Sequence, residues 1–440
     1  MRELCEYAVS VGEKKGADEI EAMWIRETSS VVEAELGEIC RASMSRSEGI
    51  RIRVIKEKAI SSIFTYLLTK EGIRTAVESA LAAAKASKKD EYWDSLPFPG
   101  TYVTVDRWDP FMKDIDPEIL TDPVTELISL LHEDIAVHLA ANEVDLLERS
   151  CVNSNGLAHE DAETLQAFGL SAVGKLKEGV TPAFQKIFFS RKYNPEPQKA
   201  AHSITEDINR FKKKGTALSG KAPVIFSPVA LQLLLRFTLF KALSGENVAR
   251  GKSLLAGKEG EQVASSLFTL HDDGTLPAGP GSKEMDDEGV PCQDTPLIEE
   301  GVLQGFMWND YWAKRMGVSS TGNAQYNDRN DEMTTEQTTM VITPGDYTRE
   351  ELFNIKEGYY MLNLQGAHGS NPESGDFSVA CAPAYRIENG EIAGGVVGIM
   401  LSDNVFSLLQ KIDAVGSESE VTEIAVLPPV RFTEVNVNAM

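Results

Sequence analysis

Two stretches of the 440-residue sequence carry residue types that could do chemistry. The first is 364–378, LQGAHGSNPESGDFS, where glycines allow close backbone approach and His368 is the one histidine in such a loop. Ser370, Asn371 and Asp376 add a hydroxyl, an amide and a carboxylate beside it. A polar loop after an apolar run can build a binding site or serve as a structural turn. The second stretch is the helix expected after Ser227-Pro228, apolar nearly all round but interrupted by Gln232, Arg236 and Lys241. Buried cations are costly, so each of the two is expected to reach solvent or a carboxylate. The alternative is a helix lining a polar cavity.

Other clusters are weaker. His132 and His138 are six apart, about 600° of rotation on a helix at about 100° per residue, so they cannot share a metal as HExxH histidines do. Their expected place is a solvated helix face. His159-Glu160-Asp161, His271-Asp272-Asp273-Gly274 and Asp286-Asp287-Glu288-Gly289 read as exposed or tight turns that could also attract a cation. The five cysteines (Cys5, Cys40, Cys151, Cys292, Cys381) form no CxxC pair, which argues against a zinc ribbon or disulfide framework.

The elements that must position these residues read as α+β, with segregated helices and strands in three units. Residues 1–95 form a small α/β unit: a helix over 4–15, strands over 19–26 and 29–36 with a turn at 27–28, a half-exposed strand at 49–54, a strand at 59–67 and a helix over 69–88. Residues 101–210 form a helix-plus-strand unit. It holds a long helix over 122–142, strands at 145–152 and 165–176 around the turn Asn153-Ser154-Asn155-Gly156, and a helix over 195–211. Residues 223–440 form the largest unit, strand-rich with one buried helix. A net charge of −24 repels phosphate backbones, so nucleic acid is not an expected partner. The sequence has no run of 18 apolar residues and its start lacks a signal-peptide core, so the expected place is the cytoplasm and no membrane contact is expected.

Several pieces, in order, resemble one family. They are Asn153-Ser154-Asn155-Gly156, 256–265 (AGKEGEQVAS), Asp272-Asp273-Gly274-Thr275, Asp287-Glu288-Gly289, 298–303 (IEEGVL), 320–324 (STGNA), 374–378 (SGDFS) and 387–392 (IENGEI). The set covers about residues 5–440 and is similar to the TldD/PmbA (TldE) proteins. The resemblance implies two kinds of subunit. The TldD kind resembles a zinc peptidase with HExxxH on a helix and a cysteine from a C-terminal loop. Here the matching helix positions hold Arg236 and Lys241 for the two histidines and Phe237 for the glutamate, and 366–375 has no cysteine. Zinc needs about four N, S or O donors, and a hydrolytic site needs a base, so this chain resembles the metal-free PmbA/TldE kind.

That resemblance implies no cofactor on this chain, zinc on a TldD-type partner, and a cytoplasmic metallopeptidase acting on unfolded peptides. This chain would supply chamber wall and a peptide-binding surface, with His368, Ser370, Asn371 and Asp376 as candidates. Alone, it is expected to form a two-fold homodimer. Two rival readings are a stand-alone homodimeric hydrolase using Cys381 or a serine of 366–378, and a non-enzymatic protein-binding regulator, since the family was once labelled a modulator of DNA gyrase.

Overall fold

Helix α1 (Arg2–Lys15) is closed by Gly16, whose φ of 85° suits a residue without a Cβ. The computed structural model describes residues 1–327 and 332–439. After α1 come β1 (Glu19–Glu35), β2 (Glu38–Lys56), β3 (Ala59–Thr65) and α2 (Lys70–Ala86), capped by the Thr69 side chain. Next come α3 (Pro117–Ser129), β4 (Ile135–Asn153), β5 (Ala158–Gly174), β6 (Phe184–Ser190) and α4 (Pro197–Lys212). The six strands make one antiparallel sheet in the order β3-β2-β1-β4-β5-β6. Each half is therefore a helix, a three-strand meander and a helix, and the halves join where β1 pairs β4. The sheet runs straight across the 95–101 boundary, so the first two sequence units share one layer.

Side chains alternate across this sheet. Ile20, Ala22 and Trp24 of β1 and Ile50, Ile52 and Val54 of β2 pack with α1 and α2 in one apolar cluster. Val32, Ala140, Val144 and Leu170 pack with α3 and α4 in another. The intervening residues face the C-terminal half, and they combine a small apolar cluster around Met23 and Cys151 with buried charges. Arg53 bridges Glu21 at 3.0 Å and Glu288 at 2.9 Å, with side-chain exposures of 7%, 3% and 1%. Arg149 bridges Asp161 at 2.5 Å and Asp287 at 3.0 Å. Arg107 also pairs with Asp161.

The C-terminal half is strand-rich around the largest apolar cluster. β7 (Gly220–Phe226) lies between the parallel strand Glu357–Met361 and the antiparallel strand Val430–Ala439. It leads into α5 (Pro228–Arg236) and α6 (Leu239–Ala242), which bury Leu231, Leu234, Leu235 and Phe240 in that cluster. The chain is α+β, as its sequence suggests. No helix among the described residues is long and apolar enough to cross a membrane.

Several local expectations need correction. There is no turn at 27–28: Thr28 pairs with Arg46 on one side and Leu146 on the other, so β1 runs unbroken. The helix expected over 122–142 starts earlier and stops at Ser129, because 135–140 pair with β5. His138 is therefore on a strand, and His132 lies in the preceding turn, 2.7 Å from Asp134. The 49–54 strand is buried on both faces, because the acids at 21 and 288 receive its arginine. The expected single buried helix is broken at Phe237-Thr238.

Replacing Arg53 by Ala strands two buried carboxylates and should cost about 3–5 kcal/mol in chemical denaturation, against no more than about 1 kcal/mol for an exposed pair such as Arg2–Glu6. Burial pushes the Glu21 carboxyl up to about 7, with Arg53 opposing. A folded-state pKa above the unfolded one gives stability that is present below about pH 4.5 and lost as pH rises through 7. The stability advantage of wild type over Glu21→Gln should therefore shrink by about 3 kcal/mol across that window, read from urea midpoints at each pH.

Candidate functional site

The α5–α6 break and the 364–378 loop meet at one place. Ser227 starts α5 by accepting from Ala230 N and donating to Leu362 O, with Pro228 in the first turn. The buried Gln232 holds the 419–424 segment through Ile424 N. The helix breaks because Phe237 and Thr238 leave helical geometry, at φ −96°, ψ 2° and φ −129°, ψ −86°. Thr238 Oγ1 donates back to Leu234 O at 2.6 Å, so the turn keeps a bond while its path bends.

Each helix cation ends on a carboxylate. Arg236 meets Glu423 at 3.0 Å, and Lys241 meets both oxygens of Glu336 at 2.5 and 2.7 Å. Both pairs are partly exposed, so their worth lies in where they hold the chain rather than in stability. Phe237 turns its ring to His368, with centroids 6.4 Å apart and planes at 78°. His368 lies in a short 3-10 turn, Ala367–Gly369, and is exposed.

The rest of that loop is mainly occupied with itself. Asn371 Oδ1 accepts from Glu373 N and Ser374 N, and Asp376 accepts from Ser374 Oγ and Asn404 Nδ2. Those bonds, Asn404 first, hold the Asp376 carboxyl below the usual carboxylate range. It is thus an anion at neutral pH and a poor proton donor. Asn404 also caps the helix Val405–Leu409 and was invisible as a partner in sequence. Ser370 Oγ is buried and lacks a hydrogen-bond partner among the described residues. Cys381 is buried, and burial pushes its thiol up to about 12, so it supplies no thiolate at neutral pH.

This residue set does not suit zinc. Arg236 and Lys241 are cations without a free lone pair, Phe237 has no donor, and both nearby carboxylates face the cations. Among the described residues, no three His, Cys, Asp or Glu side chains group as metal ligands. The other acidic turns serve structure. Asp272 is buried and accepts from Asn323 Nδ2 and Thr338 N and Oγ1. Asp287 and Glu288 belong to the buried arginine pairs. His159 stacks on Tyr102 at 3.6 Å and reaches Glu284 at 3.0 Å, and His271 pairs with Asp294.

A cavity also lies along α5, away from that loop. It encloses about 700 Å³ between β6, α4, the first turns of α5 and the 419–423 segment. Neither His368 nor Ser370, Asn371 or Asp376 lines it, whereas Glu423, the partner of Arg236, does. Two of its borders are sheet edges: β6 ends the six-stranded sheet, and the strand Glu420–Val421 ends another six-stranded sheet. Ile187, Val229 and Val421 line it while substantially exposed. The sequence reading leaves β6 unassigned, so this cleft could not be found from it.

Comparison with known proteins fits this geometry. The PmbA/TldA metallopeptidase C-terminal domain model matches residues 219–439, and its domain 1 model matches 21–84. The crystal structure of TldE from Thermococcus kodakarensis superposes with a TM-score of 0.95 at 32% identity, covering 99% of this chain and 100% of that one. A putative modulator of DNA gyrase from Thermotoga maritima shares the fold, with a TM-score of 0.91 at 24% identity and 99% of each chain covered. A protein named metalloprotease from Methanothermobacter thermautotrophicus is 28% identical over 401 residues, 89% of this chain and 86% of that one. The chain thus belongs to the TldD/PmbA family of metallopeptidase-like proteins.

Proposed function

We propose that this chain is the metal-free, TldE-type subunit of a two-subunit cytoplasmic peptidase, and that zinc and hydrolysis belong to a TldD-type partner. The observation that carries the reading is the pair of cations at the α5–α6 break. Where a zinc peptidase of this family would place ligands, Arg236 and Lys241 sit closed against Glu423 and Glu336. A site neutralised in this way holds neither a Lewis acid nor a base for water. The buried Cys381 removes the best candidate for a separate nucleophile.

The chain's own contribution is peptide capture. The 700 Å³ cleft offers unpaired backbone groups along β6 and Glu420–Val421, with apolar side chains between them. An extended, unfolded segment can add there as a strand, held by its main chain with little sequence preference. A folded protein cannot present such a strand, which supports selection for unfolded substrates. Arg236 orients the 419–423 wall through Glu423, and His368 lies at the far end of the same helix, beside Phe237.

The purified chain should contain no stoichiometric metal and should leave an unfolded peptide intact, with cleavage appearing once a TldD-type subunit is added. One zinc per chain with chelator-sensitive cleavage by the chain alone would overturn the reading. In the reconstituted pair, Arg236→Ala should raise KM for an unfolded peptide several-fold with little change in kcat, because it loosens a binding wall rather than a reacting group. An equal fall in kcat and kcat/KM would place Arg236 in the chemistry instead.

A further inference from the structure

We propose that the floor of the cleft holds a pocket for a carboxamide side chain, so that an extended peptide is captured preferentially where it carries Asn or Gln. The inference rests on the peptide-capture reading and adds a preference to it. Two side chains that border the cleft are more than nine-tenths buried, Gln232 at 3% exposure and Tyr360 at 8%. Each keeps a donor without a partner among the described residues. Gln232 Oε1 accepts from Ile424 N, which fixes the orientation of the amide and leaves Nε2 unpaired. The Tyr360 hydroxyl makes no hydrogen bond, and burial above all pushes its pKa up, so it is a neutral donor at neutral pH. Ser419 Oγ, on the opposite wall, is buried and lacks a partner as well.

Both donors are held in place by their surroundings. Val229, Gln232 and Leu233 line the cleft from one face of α5, so the amide sits between two apolar side chains one turn apart. The Tyr360 ring stacks with Tyr385 at 6.3 Å and meets Phe353 edge-on at 5.0 Å. Its strand, Glu357–Met361, pairs Tyr360 with Ile225, and β7 then leads into α5 through Ser227, which bonds Leu362 O. The two supports are thus one continuous piece of structure. A strand added to the cleft's edges turns every second side chain one way, which presents side chains to a floor of this kind.

The charges around the cleft decide what the donors receive. Its two lysines are already engaged: Lys186 lies 2.7 Å from Asp207 and Lys199 lies 2.9 Å from Glu196. Glu423 is held by Arg236. Glu420 lines the cleft, acts electrostatically on Tyr360, and has no ion pair among the described residues. An anionic side chain would meet Glu420 with no free cation to offset it. A cationic one would pair with Glu420 but turn its N–H groups toward the donors of Gln232 and Tyr360. An apolar one would strip both donors of water and return nothing. A carboxamide satisfies the set: its oxygen accepts from Gln232 Nε2 and the Tyr360 hydroxyl, and its NH2 donates to Glu420.

The test uses the full chain and a fluorescent, unstructured host peptide free of Asn and Gln, with one central guest residue. Fluorescence anisotropy should show the Gln guest binding about tenfold more tightly than Leu, Glu or Lys guests. Tyr360→Phe and Gln232→Glu should each bring the ratio of Gln-guest to Leu-guest affinity toward parity. Phe keeps the ring and Glu keeps the acceptor for Ile424 N, so each exchange removes only a donor. Gln232→Glu should also turn the preference toward the Lys guest, because it sets a second carboxylate beside Glu420. Binding that ignores the guest, a preference for Glu, Lys or Leu in the unaltered chain, or a Gln preference that survives both substitutions would overturn this inference and leave capture standing. No binding of any guest would overturn the capture reading and this inference with it.

Discussion

The structure rests on a seam of buried charge. One face of the six-stranded sheet is apolar and covered by helices, while the other carries arginines into the C-terminal half. Arg53 and Arg149 each hold one acid from the sheet and one from 287–288. Desolvating these groups is affordable only because every charge meets an opposite one, so the two halves can approach in a single relative position. An apolar interface would tolerate sliding, but a set of forked ion pairs does not. The precise placement of everything on the C-terminal half relative to β6 follows from this fit.

The cleft is the clearest beneficiary. Its walls come from both halves: β6 and α4 from the sheet side, α5 and 419–423 from the other. Its width is therefore set at the seam, far from its lining. The α5–α6 break contributes from within. By leaving helical geometry at Phe237 and Thr238, the chain lets Arg236 and Lys241 reach carboxylates in two separate segments. One segment borders the cleft and the other precedes the buried Asp272–Thr338 contact.

Much of this was legible in the sequence wherever the cause is local. α1, α2 and α4 follow from apolar periodicity, the turn at 153–156 from its asparagines and glycine, and the start of α5 from Ser227-Pro228. What failed has distant causes. Glu27-Thr28 looks like a turn until strands on both sides supply its hydrogen bonds. The leucine stripe over 127–139 fits a helix, yet its second part is claimed by β5. Alternating arginines at 51 and 53 suggest a wet face, and acids 32 and 235 residues away from Arg53 make it dry. The expectation that Arg236 and Lys241 would find carboxylates was sound chemistry, but nothing in the spacing names Glu423 or Glu336. The loop residues Asn371 and Asp376 drew attention for their polarity, and that polarity is spent on holding the loop's own shape.

The repetition of helix, three strands and helix on either side of the β1–β4 pair has a consequence for how the chain can be divided. Each half carries its own pair of helices, which also reach onto strands of the other half at Val32 and Val152, and the 87–116 connection between them adds no strand to the sheet. What joins the halves is a long antiparallel ladder and the apolar packing across it, which need register but not covalent continuity. The polypeptide is in this sense a tethered pair: cut within the connection, its fragments retain complementary edges and a matching set of charges with which to find each other again.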